Sequence, residues 1–182
     1  MRVKSKWSKK DKTHSVEEVG AALAFIAWRI AANTVLNLEN HDYQTDTQQQ
    51  RLDIIAEVLV FTLHLIDRMT ITRFSDEERQ RFMGELGQKS AKHMHDNRCD
   101  IEGSGEYRSA FIELLNQRLA EYAEFDYDEQ EGPGFGMKRY FGEFVAQHMG
   151  EKNRQWVSGQ MSEIEVRDIM ATLKKSVPNL FM

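Results

Sequence analysis

The densest run of metal-competent side chains is His93-Met94-His95-Asp96-Asn97-Arg98-Cys99-Asp100. Two histidines and a thiolate could supply three zinc ligands, with a fourth from elsewhere. Against this, the H-x-H-x3-C spacing matches no standard closed zinc site, and Cys99 is the only cysteine. A polar helix end accounts for the same residues, because the macrodipole favours histidine near a helix C-terminus.

The dipeptide His-Asp occurs twice, at His41-Asp42 and His95-Asp96. A His-Asp pair with a further His and Asp can hold metals that activate water, the chemistry of an all-α metal-dependent hydrolase. His14 could serve the first pair and His64 the second. Neither pair sits in the apolar helical context that such a site needs. Di-iron bundles require Glu-x-x-His on facing helices, and the chain contains no Glu-x-x-His.

A narrow polar stripe, Asp53, Glu57, His64 and Asp67, follows spacings of four, seven and three through an otherwise apolar stretch. Such a stripe is expected to be the solvent edge of a central helix, or alternatively the wall of a polar pocket. His148 falls on one helical face with Phe141, Phe144 and Val145, the setting of a core histidine with one hydrogen bond or of a ligand. Glu57, His64, Asp67 and His148, with His93, His95 and Cys99, are therefore the candidate ligand or metal residues. No cofactor is indicated; a divalent metal is the one group that these side chains could hold.

Other patterns fail sooner. Asp126-Tyr127-Asp128-Glu129-Gln130-Glu131-Gly132 has Glu131 where a calcium loop needs its glycine and Met137 where it needs its glutamate. The following Gly132-Pro133-Gly134-Phe135-Gly136 precedes Lys138 and Arg139 and could hold an anion, but the Gly-Lys-Ser/Thr of a P-loop is missing. No Gly-x-Ser-x-Gly occurs, and no catalytic nucleophile can be nominated.

The elements that must position these residues are helical. Ser15-Val-Glu-Glu18, Ser75-Asp-Glu-Glu78 and Ser162-Glu-Ile-Glu165 read as capping boxes. The 3.6-residue periodicity predicts helices from Val16 to about Leu38, Gln48 to Thr72, Asp76 to about His93, Glu106 to Phe125, Met137 to Met149 and Glu163 to Ser176. Gly84 and Gly87 are expected to kink or break the third. The fold class is all-α: a single-domain bundle of about six helices over residues 15–182. Residues 1–12 carry six Lys/Arg and one Asp, which leaves −10 on residues 13–182. Residues 1–14 are expected to be a basic, mobile leader, with Trp7 as a feature that could dock. The acidic body argues against nucleic-acid binding.

The segment Gly20 to Leu38, GAALAFIAWRIAANTVLNL, is the most apolar in the chain. Glu17 and Glu18 precede it, and Arg29, Asn33 and Asn37 interrupt it. A central Arg costs about 2.5–3.5 kcal/mol on insertion scales, so neither membrane insertion nor export is expected. Gly20, Ala24, Ala27 and Ala31 make one smooth strip that allows close approach of another helix, in the core or in a second subunit. Arg29, Asn33 and Asn37 form a polar strip, expected to mark a buried polar contact or a site edge. The function expected is binding: a cytoplasmic homo-oligomeric (homodimeric) module whose partner is itself or another protein. The alternatives are a metal- or small-ligand-binding bundle and, behind it, the His-Asp hydrolase. A lone cysteine fits a reducing compartment.

Overall fold

The computed structural model describes residues 13–182. The basic leader, Trp7 included, falls outside these residues except for Thr13 and His14. The described chain is an all-α bundle: α1 Val16–Asn40, α2 Gln48–Thr70, α3 Asp76–Glu102, α4 Arg108–Tyr122, α5 Phe135–His148, α6 Glu151–Gln160 and α7 Val166–Asn179. A two-residue hairpin, β1 Tyr127–Asp128 with antiparallel β2 Gly132–Pro133, joins α4 to α5. A π-helical segment, Met161–Glu165, links α6 to α7 without a break, so the seven segments form six rods.

Two expected caps form as read. Ser15 Oγ accepts from Glu18 N while Glu18 accepts from Ser15 N, both at 3.1 Å. Ser75 and Glu78 repeat the exchange at 2.9 and 3.2 Å. The third does not form. Ser162 lies inside the π segment, where its hydroxyl donates to Gly159 O at 3.2 Å. The helix started eleven residues earlier, at Glu151, so no free N-terminus exists there to cap. Glu165 instead is buried and accepts from Gln160 and Asn37.

The third helix also continues well past His93, to Glu102, and neither Gly84 nor Gly87 breaks it. Gly84 is exposed, and Gly87 sits against Leu115 of α4.

Helix α2 is the core. From Ile54 to Asp67 every residue is buried, as its near-continuous apolarity requires. Helices α1, α3, α4, α5 and α7 pack around it. The smooth strip of α1 is spent inside this chain. Ala24, Ala27 and Ala31 have no exposed surface. A Cβ on Gly20 would stand 3.0 Å from Phe82 O and 3.4 Å from Leu86 N, so that end of the strip lies against α3 rather than α2. It offers nothing to a second subunit. By length and composition α1 could cross a membrane, but half of that stretch is buried inside the bundle.

Candidate functional site

The polar stripe of α2 is covered at Glu57, His64 and Asp67 and open to solvent only at Asp53. It is a ladder in which each acid meets an arginine from a neighbouring helix. Asp53 accepts from Arg98 of α3 at 2.6 Å. Glu57 accepts two bonds from Arg118 of α4, both 2.9 Å. Asp67 accepts two from Arg79 of α3, at 2.8 and 2.7 Å. The expected solvent edge fails because these partners are supplied by α3 and α4, which cover it.

The Glu57 pair is the deepest: Glu57 is 2% exposed and Arg118 7%. The guanidinium also donates to Glu121 at 2.8 Å and stands over the Phe144 ring, its Cζ 3.3 Å from the centroid. His148 Nε2 stands 3.6 Å from Glu57 Oε1. Burial pushes the Glu57 carboxyl up, but His148 and Arg118 outweigh it and hold the group below its ordinary range. Burial likewise opposes the charge on Arg118, and Glu57 with Glu121 raises its pKa in spite of that. The result is a fixed ion pair with little freedom to move a proton.

His64 is the one member of the stripe with no cation. It is 2% exposed, and its Nε2 has no hydrogen-bond partner. Its ring lies 5.4 Å from that of Tyr122, whose hydroxyl is also buried without a partner. Burial, reinforced by Arg68 and opposed by Asp67, lowers the His64 pKa from 6.5 to about 4. The imidazole is therefore neutral at pH 7. Burial foremost, then the charge of Glu57, raises the Tyr122 phenol.

The four α2 and α5 candidates thus lie side by side without converging. Glu57 and His64 are seven residues apart, about 10 Å along the helix. His148 reaches Glu57 alone, while Asp67 is held by Arg79. The second group disperses for a related reason. Residues two apart on a helix point in nearly opposite directions. His93 therefore stacks on Trp28 of α1, with ring centroids 5.8 Å apart. His95 turns away, its Nε2 3.6 Å from Cys99 Sγ and its Nδ1 accepting from Tyr107 N. Among the described residues no three His, Cys, Asp or Glu side chains are arranged to hold a metal. His41-Asp42 lies exposed at the end of α1, and His95-Asp96 sits on α3, where Asp96 pairs with Lys92.

The polar strip of α1 is mostly outside. Arg29 and Asn33 are exposed, which corrects the expected buried contact; only Asn37 is half-buried, reaching Glu165 at 3.4 Å. The surprise is what accompanies them. Phe25 is 52% and Leu36 47% exposed, with half-buried Trp28 and Ala32 between them on the same face. His93 closes one flank of this stripe against Phe25 and Trp28.

The arginines were the residues missed. Arg118 continues the Phe111, Leu115, Tyr122 face at the seventh position, and that apolar neighbourhood was the available signal. Nothing comparable marks Arg79 or Arg98.

Comparison with known proteins finds no matching family model, no matching curated protein and no matching solved structure.

Proposed function

We propose that this protein acts by binding, as a cytoplasmic homodimer that pairs through the outer face of α1. The observation that carries the reading is the Phe25–Trp28–Ala32–Leu36 stripe, an apolar row about 16 Å long on a helix whose other side already fills the core. Isolated exposed apolar residues need no explanation; a row at helical spacing does.

A second copy is the occupant that this face fits best. Antiparallel pairing of two α1 helices sets Phe25 of each against Leu36 of the other, the self-complementarity a twofold interface requires. It also sets each Arg29 beside the other copy's Asn33. Arg29 has donors and no carboxylate partner among the described residues, only its own Phe25 ring at 6.0 Å. The Asn33 side-chain carbonyl can accept from it. Small Ala32 between them allows close approach. The Glu85–Lys89 and Lys92–Asp96 pairs of α3 would then form a polar rim beside an apolar centre.

Sedimentation equilibrium at micromolar concentration tests this. The wild type is expected to run as a dimer and both Phe25→Glu and Leu36→Glu as folded monomers. Ala24→Glu, at a position with no exposed surface, is expected to unfold the protomer instead. A wild type that stays monomeric refutes the homodimer.

A further inference from the structure

We infer that two copies of the chain complete each other's α1–α7 cleft: Arg29 of one seats at the mouth of the other's cleft, against Asp168 and Asn33. This contact presupposes the α1 pairing proposed above and fixes its register. The cleft holds about 360 Å³ between the C-terminal half of α1 and the start of α7. It is continuous with the apolar stripe, because Leu36 belongs to both.

The charge of the cleft is one-sided. Its lining carries the carboxylates of Glu165 and Asp168 and the amides of Asn33, Asn37 and Asn40, with no Lys, Arg or His among the described residues. Glu165 is 1% exposed, and its carboxylate accepts from the neutral amides of Gln160 and Asn37, at 3.1 and 3.4 Å, with no cation beside it among the described residues. Buried charges are ordinarily paired, as Glu57 is with Arg118. Asp168 is exposed, and its one cation is its chain neighbour Arg167, 3.9 Å away. Arg167 lines a different cleft, with Lys138 and Lys174. Arg29 is the reverse case, an exposed guanidinium with no carboxylate partner among the described residues.

The levels agree. With Phe25 opposite Leu36, Arg29 comes four residues after Phe25 and so stands level with the second copy's Ala32, four before Leu36. Helix α7 runs antiparallel to α1: Glu165 meets Asn37 at one end, and Leu180 and Phe181 share a cleft with Val16 and Val19 at the other. Asp168, three residues on from Glu165, is therefore about 4.5 Å back along α1, level with Thr34. Two residues, about 3 Å, separate that level from Ala32, within the reach of one arginine side chain. The flanks agree as well. Asn33 and Asn37 line the α7 side of α1 and Arg29 continues their row, whereas Phe25 and Trp28 meet His93 of α3 on the other side. The twofold axis of an antiparallel pair keeps each flank on its own side, so Arg29 of one copy faces α7 of the other. A parallel pair would carry it to α3. Asp168 then takes a charge-assisted bond from the guanidinium, and the Asn33 carbonyl takes another N–H.

The test is sedimentation equilibrium of full-length Arg29→Glu, Asp168→Arg and the double exchange. Each single change sets like charges against each other at two symmetric places, and is expected to weaken self-association about tenfold or more. The double exchange restores opposite charges and should return to within about threefold of the wild type. Added salt should weaken the wild-type dimer and strengthen each single variant. Heat-unfolding curves check that each variant folds; Arg29→Gln and Asp168→Asn replace a reversed variant that does not, with a smaller loss expected in the same direction. A monomeric wild type overturns this contact together with the pairing on which it rests. A wild-type dimer whose association Arg29→Glu leaves unchanged, or single losses that the double exchange does not recover, overturns this contact alone and leaves the apolar pairing standing.

Discussion

Replacing His64 by Phe is expected to flatten the acid limb of the protein's stability curve. In the folded chain the imidazole resists protonation until about pH 4, because burial and Arg68 outweigh Asp67. In the unfolded chain it protonates near pH 6.5. The folded pKa is therefore depressed, the unfolded state binds the proton first, and stability falls as pH drops below 6.5. It is complete above that value and stops changing below about 4. One proton is worth 1.36 kcal/mol per unit, so the interval corresponds to about 3 kcal/mol, of which about 2 kcal/mol is lost between pH 7 and pH 5. At 2% exposure His64 needs no discount for solvent screening. Phe keeps an aromatic ring against Tyr122 and removes both the titration and the unpartnered nitrogen. Urea unfolding of both proteins at pH 7 and pH 5, at one protein concentration, isolates the effect as a difference of differences in which the other five histidines cancel. The wild type should lose about 2 kcal/mol more than the variant on going to pH 5. Equal losses, or a His64 ring signal that titrates near pH 6.5, would show that the side chain is not buried and neutral.

The ladder gives a second test. Arg118→Ala strands the Glu57 carboxylate in the core and is expected to cost about 3–5 kcal/mol, whereas the double change Arg118→Leu with Glu57→Leu should recover most of that loss; a single-variant loss below about 1 kcal/mol in urea unfolding would mean that water reaches Glu57. The α5–α6 crossing gives a third. A Cβ at Gly142 would lie 2.6 Å from Ser158 O, so Gly142→Ala should destabilise by about 1–3 kcal/mol, and Gly84→Ala, which meets nothing within 4 Å, should be neutral or slightly stabilising. Comparable melting temperatures for these two variants would contradict the close packing of α5 on α6.

The helices were legible because their signals are local. Ser15 with Glu18, and Ser75 with Glu78, cap within one turn, so a four-residue pattern carries the whole interaction. Ser162 with Glu165 has the same pattern and fails, because whether a helix begins at Ser162 depends on Glu151–Gln160 running on into it. The length of α3 was hidden for a similar reason. His93 to Glu102 is polar in sequence, yet Trp28 stacks on His93 and Asp53 takes Arg98, and neither partner is near in the chain. The α2 stripe was visible as a set of positions but not as a ladder. Its acids declare themselves by spacing; their arginines come from positions 79, 98 and 118, which only the packing of three helices brings to them.

That packing also says why His64 stands out. A buried guanidinium–carboxylate pair contributes little net stability, since the attraction mainly offsets desolvation. What it imposes is register: if α3 slid by one turn along α2, Arg79 and Arg98 would both lose their acids, and a turn's shift of α4 would strand Arg118. With those acids paired, α2 has a single register against α3 and α4, and every acid of the stripe from Asp53 to Asp67 is met by an arginine, with His64 the one member that is not. At the His64 position neighbouring α4 brings Leu119 and Tyr122 rather than a cation, and the space stays open as a cleft. A stability-driven core would fill that gap with an apolar side chain. The ladder that fixes the helices thus also sets the spacing of α2, α3 and α4 around His64.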